Sequence, residues 1–191
     1  ETASLQVVCA PSSYDDIPVS APDLFVDAQV KVKSLSVSQI IGGSLEAAIP
    51  PTDGATVSVG TTEVLISAPS GSVTTLLAWG DPETPTVLNL PESNTPRVVH
   101  AAPELGPVSL YLPDGETPIA TLALGDVLDL ELPENVDGLL LDADQDGEPE
   151  FMMFGPYLKP ATVVVAGSAD APAMFHFAPG HPYLAGAGQW Q

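Results

Sequence analysis

Positive charge is scarce in this chain: its 191 residues hold four Lys plus Arg against 25 Asp plus Glu, a formal charge of −21 with His neutral. Lys31, Lys33, Arg97 and Lys159 are the whole basic complement, and they do not cluster. Nucleic acid, which grouped cations must neutralise, is therefore excluded as a partner. Docking on anionic lipid is disfavoured for the same reason. Cysteine is nearly missing too. A lone Cys9 leaves no internal disulfide to form, and no basic neighbour stabilises a thiolate there, so it reads as a buried, inert thiol. No window approaches the roughly 20 uninterrupted apolar residues of a membrane-spanning helix, so no transmembrane segment is expected. Helical periodicity is absent over any stretch as long as about 12 residues.

Recognisable reaction chemistry is equally thin. There is no Gly-x-Ser-x-Gly elbow, and Gly42-Gly43 and Gly186-Ala187-Gly188 lack the Lys and the strand-to-helix setting of a phosphate loop. His100, His176 and His181 are the only histidines, and their sequence contexts differ, so separate structural roles are expected rather than a metal or catalytic cluster. Paired carboxylates abound in so acidic a chain and carry no information about glycoside chemistry. No catalytic residues are assigned, and the chain is expected not to be an enzyme.

What is present points to β-structure. Hydrophobic residues make up 45 %, enough for a real core, and 21 prolines are spread through the chain, where they break helices but fit turns and strand edges. Short β-branched or alternating runs recur between Pro, Gly and Asp breaks. In the first half they are Leu5–Val8, Asp23–Val30, Val32–Val37, Thr56–Val59, Glu63–Ser67, Ser72–Ala78 and Val87–Leu90. The second half offers Arg97–His100, Val108–Leu112, Ile119–Leu124, Val127–Glu131, Gly138–Leu141, Glu150–Phe154, Thr162–Ala166 and Ala173–Phe177. In Val127–Leu132 the alternation is clear, with Leu128, Leu130 and Leu132 facing one way and Asp129 and Glu131 the other.

The halves also align. Leu5-Gln6-Val7-Val8-Cys9-Ala10-Pro11 falls against Pro96-Arg97-Val98-Val99-His100-Ala101-Ala102-Pro103, with Cys9 opposite His100. Thr74–Asp81 falls against Ala161–Ser168, and Thr86–Leu90 against Ala173–Phe177, in the same order. The expected fold is all-β, two tandem Ig-like or Greek-key β-sandwich domains over residues 1–94 and 95–178, joined around Pro91–Pro96. A Gly/Pro/aromatic C-terminal tail follows over residues 179–191.

Arg97-Val98-Val99-His100-Ala101-Ala102-Pro103, then Val108–Leu112, then Leu122-Ala123-Leu124-Gly125-Asp126, resembles the opening of domain of unknown function 4397. The likeness runs from Arg97 to about Phe177, with the first half as a diverged copy that has Cys9 in place of the His and a polar insertion around Ser12–Pro22. It implies tandem β-sandwich repeats in a secreted bacterial protein and transfers no catalytic residue.

The most distinctive local feature is Asp142-Ala143-Asp144-Gln145-Asp146-Gly147-Glu148-Pro149-Glu150. Three carboxylates at alternate positions followed by Gly supply converging oxygen ligands and a sharp turn, as a Ca²⁺ loop needs. Asp142, Asp144, Asp146, Glu148 and Glu150 are the candidate ligands. The pattern departs from an EF-hand, since the twelfth position from Asp142 is Met153 and no helices flank it. The alternative is a solvated acidic hairpin turn. The first half has only Gly60-Thr61-Thr62-Glu63 at the corresponding place.

The terminal segment combines Pro179, Gly180, Pro182, Gly186 and Gly188 with Tyr183, Leu184 and Trp190, which are candidate anchors for a partner or a second copy. The start, Glu1-Thr2-Ala3-Ser4, is small and polar and has no initiator Met, which fits a mature exported chain after removal of a leader. Together these features predict an extracytoplasmic, non-enzymatic structural or interaction protein. It would act through sandwich faces, strand edges and the tail toward a protein partner or itself. The alternative is a carbohydrate- or other ligand-binding module stabilised by Ca²⁺, with Tyr14, Trp79, Tyr111 or Tyr157 as stacking platforms.

Overall fold

Every regular element among the described residues is a β-strand. The computed structural model describes residues 3–10, 19–20, 24–26, 30–32, 36–37, 43–49, 51–81, 84–116, 118–132, 136, 138–149, 151–154, 162–168, 171–178 and 181–185. The chain divides into two compact units, one chiefly Glu1–Pro11 and Asp15–Glu92, the other chiefly Ser93–Phe177.

The first unit contains β1 (Ala3–Cys9), β2 (Val19–Ser20), β3 (Leu24–Val26), β4 (Val30–Val32), β5 (Ser36–Val37), β6 (Gly43–Ile49), β7 (Thr52–Val59), β8 (Thr62–Ala68), β9 (Val73–Trp79) and β10 (Thr86–Leu90). One sheet has the order β10-β9-β1-β6, a second the order β4-β3-β7-β8, and β2 pairs with β5 alone. Leu5, Val7, Leu76 and Ala78 of the first sheet share a core with Ala55, Val57, Val59, Ile66 and Ala68 of the second. Two sheets facing one apolar layer make a sandwich.

The second unit contains β11 (Arg97–His100), β12 (Val108–Tyr111), β13 (Pro118–Leu122), β14 (Val127–Asp129), β15 (Gly138–Asp142), β16 (Phe151–Phe154), β17 (Thr162–Ser168) and β18 (Ala171–Ala178). One sheet runs β14-β11-β17-β18 and the other runs β13-β12-β15-β16; β19 (His181–Ala185) follows β18 in the chain. Val98, Val163 and Val165 meet Val108, Leu110, Leu122, Leu139 and Leu141 in its core. Leu130 is buried in that core with Leu128 and Leu132 packed against it, while Asp129 and Glu131 are exposed, as the alternation predicts.

The two strand orders correspond place for place. β1, β3, β4, β6, β7, β8, β9 and β10 take in one unit the positions of β11 to β18 in the other. In each, the opening strand pairs parallel with the seventh of the series and antiparallel with the fourth. Gln6 lies opposite Thr75 and Cys9 opposite Ala78; Arg97 lies opposite Thr162 and His100 opposite Val165. These are the residues that the alignment of the halves equates. The Ala10 amide donates to the Ala78 carbonyl at 2.8 Å, and the Ala101 amide to the Val165 carbonyl at 2.8 Å. Even the strand-ending glycines agree, Gly80 at φ 86° and Gly167 at φ 85°.

The parallel partners carry no polar alternation. Leu76–Trp79 and Val163–Ala166 are buried at every position, as expected for central strands apolar on both faces. Several boundaries differ from those read in the sequence. Among the described residues, the run Asp23–Val30 contains β3 and the start of β4, and Val32–Val37 contains the end of β4 and β5. Strand β6 went unread because Gly43, Ala47 and Ala48 have weak strand preference; pairing with β1 from Ala3↔Ile49 to Cys9↔Gly43 overrides it. Within the C-terminal tail, His181–Ala185 is also a strand.

Candidate functional site

The acidic segment runs from Asp142, the last residue of β15, into the connection to β16, and the last register pair of these antiparallel strands before the tip is Leu141↔Phe151. The corresponding strands of the first unit, β7 and β8, turn through Gly60-Thr61 alone, since Val59 pairs with Thr62. The acidic tip is thus an elaboration of one hairpin.

Its geometry follows from Asx chemistry. The Asp142 side chain, only 1 % exposed, accepts the Gly147 amide on Oδ2 at 3.0 Å and the Gln145 amide on Oδ1. Asp144 Oδ1 accepts the Asp146 amide at 3.0 Å, and Asp146 Oδ1 accepts the Glu148 amide at 2.8 Å. Short polar side chains that take amides two to five residues ahead curl the backbone around themselves. The curl puts Gln145 at φ 62° and Gly147 at φ 89°. Glycine enters the left-handed region without steric cost; Gln145 does so against its Cβ.

Carboxylate oxygens of Asp142, Asp144 and Asp146 lie within 4.8 Å of one another. Three anions so close repel in water, and a divalent cation would convert that repulsion into attraction. Glu148 is exposed and stands outside that set, and Glu150 lies outside the described residues. The Asp144 and Asp146 carboxylates are exposed, so a cation would enter from solvent.

The other candidates are dispersed. His100 is fully buried, and its ring is bonded to backbone: Nε2 lies 2.9 Å from the Gly106 carbonyl, and Nδ1 accepts the Ala102 amide at 3.3 Å. Burial holds its pKa below the ordinary value, outweighing the Gly106 hydrogen bond and the Asp126 charge, which act in the opposite direction. Trp79, at 6 % exposure, is unsuited to act as a sugar platform, and Tyr111 is half-buried. Tyr14, Tyr157 and Trp190 lie outside the described residues; for Tyr183, Leu184, His176, His181 and Cys9 only the backbone, in strands, is described. Tyr183 and Leu184 belong to β19.

Sequence reading missed one polar site. Arg97, 4 % exposed in its side chain, reaches Asp129 on the neighbouring strand at 3.0 Å, and Ser93 donates to the same carboxylate at 3.0 Å. Thirty-two positions separate Arg97 from Asp129, so only the β11–β14 register reveals the pair. Among the described residues no helix is long and apolar enough to cross a membrane. No protein-family model matches the chain, and no curated protein is significantly similar to it.

Proposed function

We propose that this is a non-enzymatic, extracytoplasmic interaction protein whose β-sandwich units work by surface contact, with a Ca²⁺-binding hairpin tip at Asp142–Glu150. The observation that carries the reading is the convergence of Asp142, Asp144 and Asp146 within 4.8 Å on one turn. Calcium favours six to eight oxygens in a tolerant geometry, so the trio would be completed by Glu148, Glu150, backbone carbonyls or water. The role of the ion would be to stiffen this hairpin tip of the second unit. The resemblance of Arg97–Asp126 to domain of unknown function 4397 supports the secreted, tandem-repeat part of the proposal. The formal charge of −21 favours solubility and discourages indiscriminate association, leaving strand edges and the C-terminal segment as contact surfaces toward a protein partner or a second copy.

Calorimetric titration of Ca²⁺ into the full chain tests the metal part. A single site is expected, lost in Asp144→Asn and Asp146→Asn, whose amide oxygens still accept the same backbone N–H groups. No heat of binding at millimolar Ca²⁺ would remove the metal from the account. Light scattering over a concentration series, with and without Ca²⁺, tests self-association.

A further inference from the structure

One buried titratable group outside the acidic tip joins three parts of the second unit. His100 ends β11. Its amide donates to the Asp126 carbonyl at 3.1 Å, and its own carbonyl accepts the Gly125 amide at 2.8 Å. These backbone bonds hold the turn after β13. The ring, meanwhile, serves the following loop through Ala102 and Gly106. A carbonyl only accepts and an amide only donates, so the neutral imidazole carries its proton on Nε2 and leaves Nδ1 as the acceptor. Within the loop, the Leu105 amide donates to the Ala102 carbonyl at 3.2 Å, and Leu105 inserts its side chain into the core beside Ala102.

We propose that His100 is an acid-sensitive latch: the neutral ring fastens the Ala101–Gly106 loop over the core, and protonation of Nδ1 releases it and lets Leu105 out. A proton on Nδ1 would face the Ala102 N–H, converting a hydrogen bond into a donor–donor clash beside a buried charge. The charges around the ring do little to relieve this. Asp126, on the β13–β14 turn, is exposed and has its Oδ2 on the Ala123 amide at 2.8 Å. Glu104, in the loop itself, is exposed, and Asp129 on β14 is engaged by Arg97 of β11. The facing positions of β17, Val164 and Val165, carry no charge.

The latch belongs to one unit only. The matching position of the first unit is Cys9, whose place opposite Ala78 mirrors that of His100 opposite Val165. A thiol does not gain a proton between pH 7.5 and 5, so acid should loosen the second unit while the first stays closed. This inference stands apart from the calcium proposal.

Amide hydrogen exchange on the full chain, scored as protection factors to remove the intrinsic pH effect, tests it together with NMR titration of the imidazole. Protection at Ala102 and Leu105 should fall by about tenfold or more between pH 7.5 and 5.0, with Val7 and Leu76 unchanged. The ring should titrate below its ordinary range with its proton on Nε2. In His100→Gln, whose amide offers a donor and an acceptor without titrating, the pH dependence at Ala102 should disappear. An imidazole titrating at or above its ordinary value would overturn the latch, as would Ala102 protection that survives its titration. Equal loss of protection in both units would do so as well.

Discussion

A buried carboxylate that accepts two amides is an expensive group to remove. Asp142 takes the Gln145 and Gly147 N–H groups at 1 % exposure, so truncation leaves two donors without their acceptor in a half-closed turn. Asp142→Ala should cost about 1–3 kcal/mol in urea unfolding, measured with chelator present so that lost metal binding does not contribute. Arg97 and Asp129 make a second residue-scale case. Partial desolvation raises the Asp129 pKa, but the hydrogen bonds from Arg97 and Ser93, aided by the guanidinium charge, outweigh it and hold the carboxyl below its ordinary range. A depressed carboxyl pKa contributes stability above the unfolded-state value and loses it as pH falls through the folded-state value. The urea midpoints of wild type and Asp129→Asn should therefore differ at neutral pH and converge in acid. Because Asp129 is 55 % exposed, the gap should be small and shrink with salt. A gap that widens in acid would contradict the pairing.

Among the elements, legibility followed locality. Arg97–His100 was readable in place because the β-branched pair Val98-Val99 forms its centre, and Val127–Leu132 because its alternation is preserved in the burial of Leu128 and Leu130 against Asp129. Strand β6 was hidden since Gly43-Ser44-Leu45-Glu46-Ala47-Ala48-Ile49 owes its conformation to seven partners on β1. The acidic tip could be read because its three aspartates lie within five consecutive positions; the burial of Asp142 and the Arg97–Asp129 pair could not, since both depend on packing. Equivalent strands should respond alike to equivalent changes. Gly80 and Gly167 both end a central parallel strand at φ near +85°. Gly80→Ala and Gly167→Ala should each destabilise by about 1–2 kcal/mol, the cost of forcing an L-residue into the left-handed region. Calorimetric melting checks this, and a neutral outcome at one site would separate the two units.

At the scale of the whole molecule, apolar cores of similar build sit in two units, and the acidic hairpin tip is among the features that set them apart. A net charge of −21 makes any bound cation favourable in a general way, so the account requires the effect of Ca²⁺ to be traced to particular carboxylates. Thermal melting in 1 mM Ca²⁺ against excess chelator, at constant ionic strength, is the most direct measurement. A ligand bound only by the folded state at about a hundred times its Kd adds about 2.7 kcal/mol. Wild type should therefore melt several degrees higher with Ca²⁺, and Asp144→Asn with Asp146→Asn should melt at one temperature in both buffers. Superimposable wild-type curves, or a Ca²⁺ shift that survives both substitutions, would contradict the hairpin tip as the metal site.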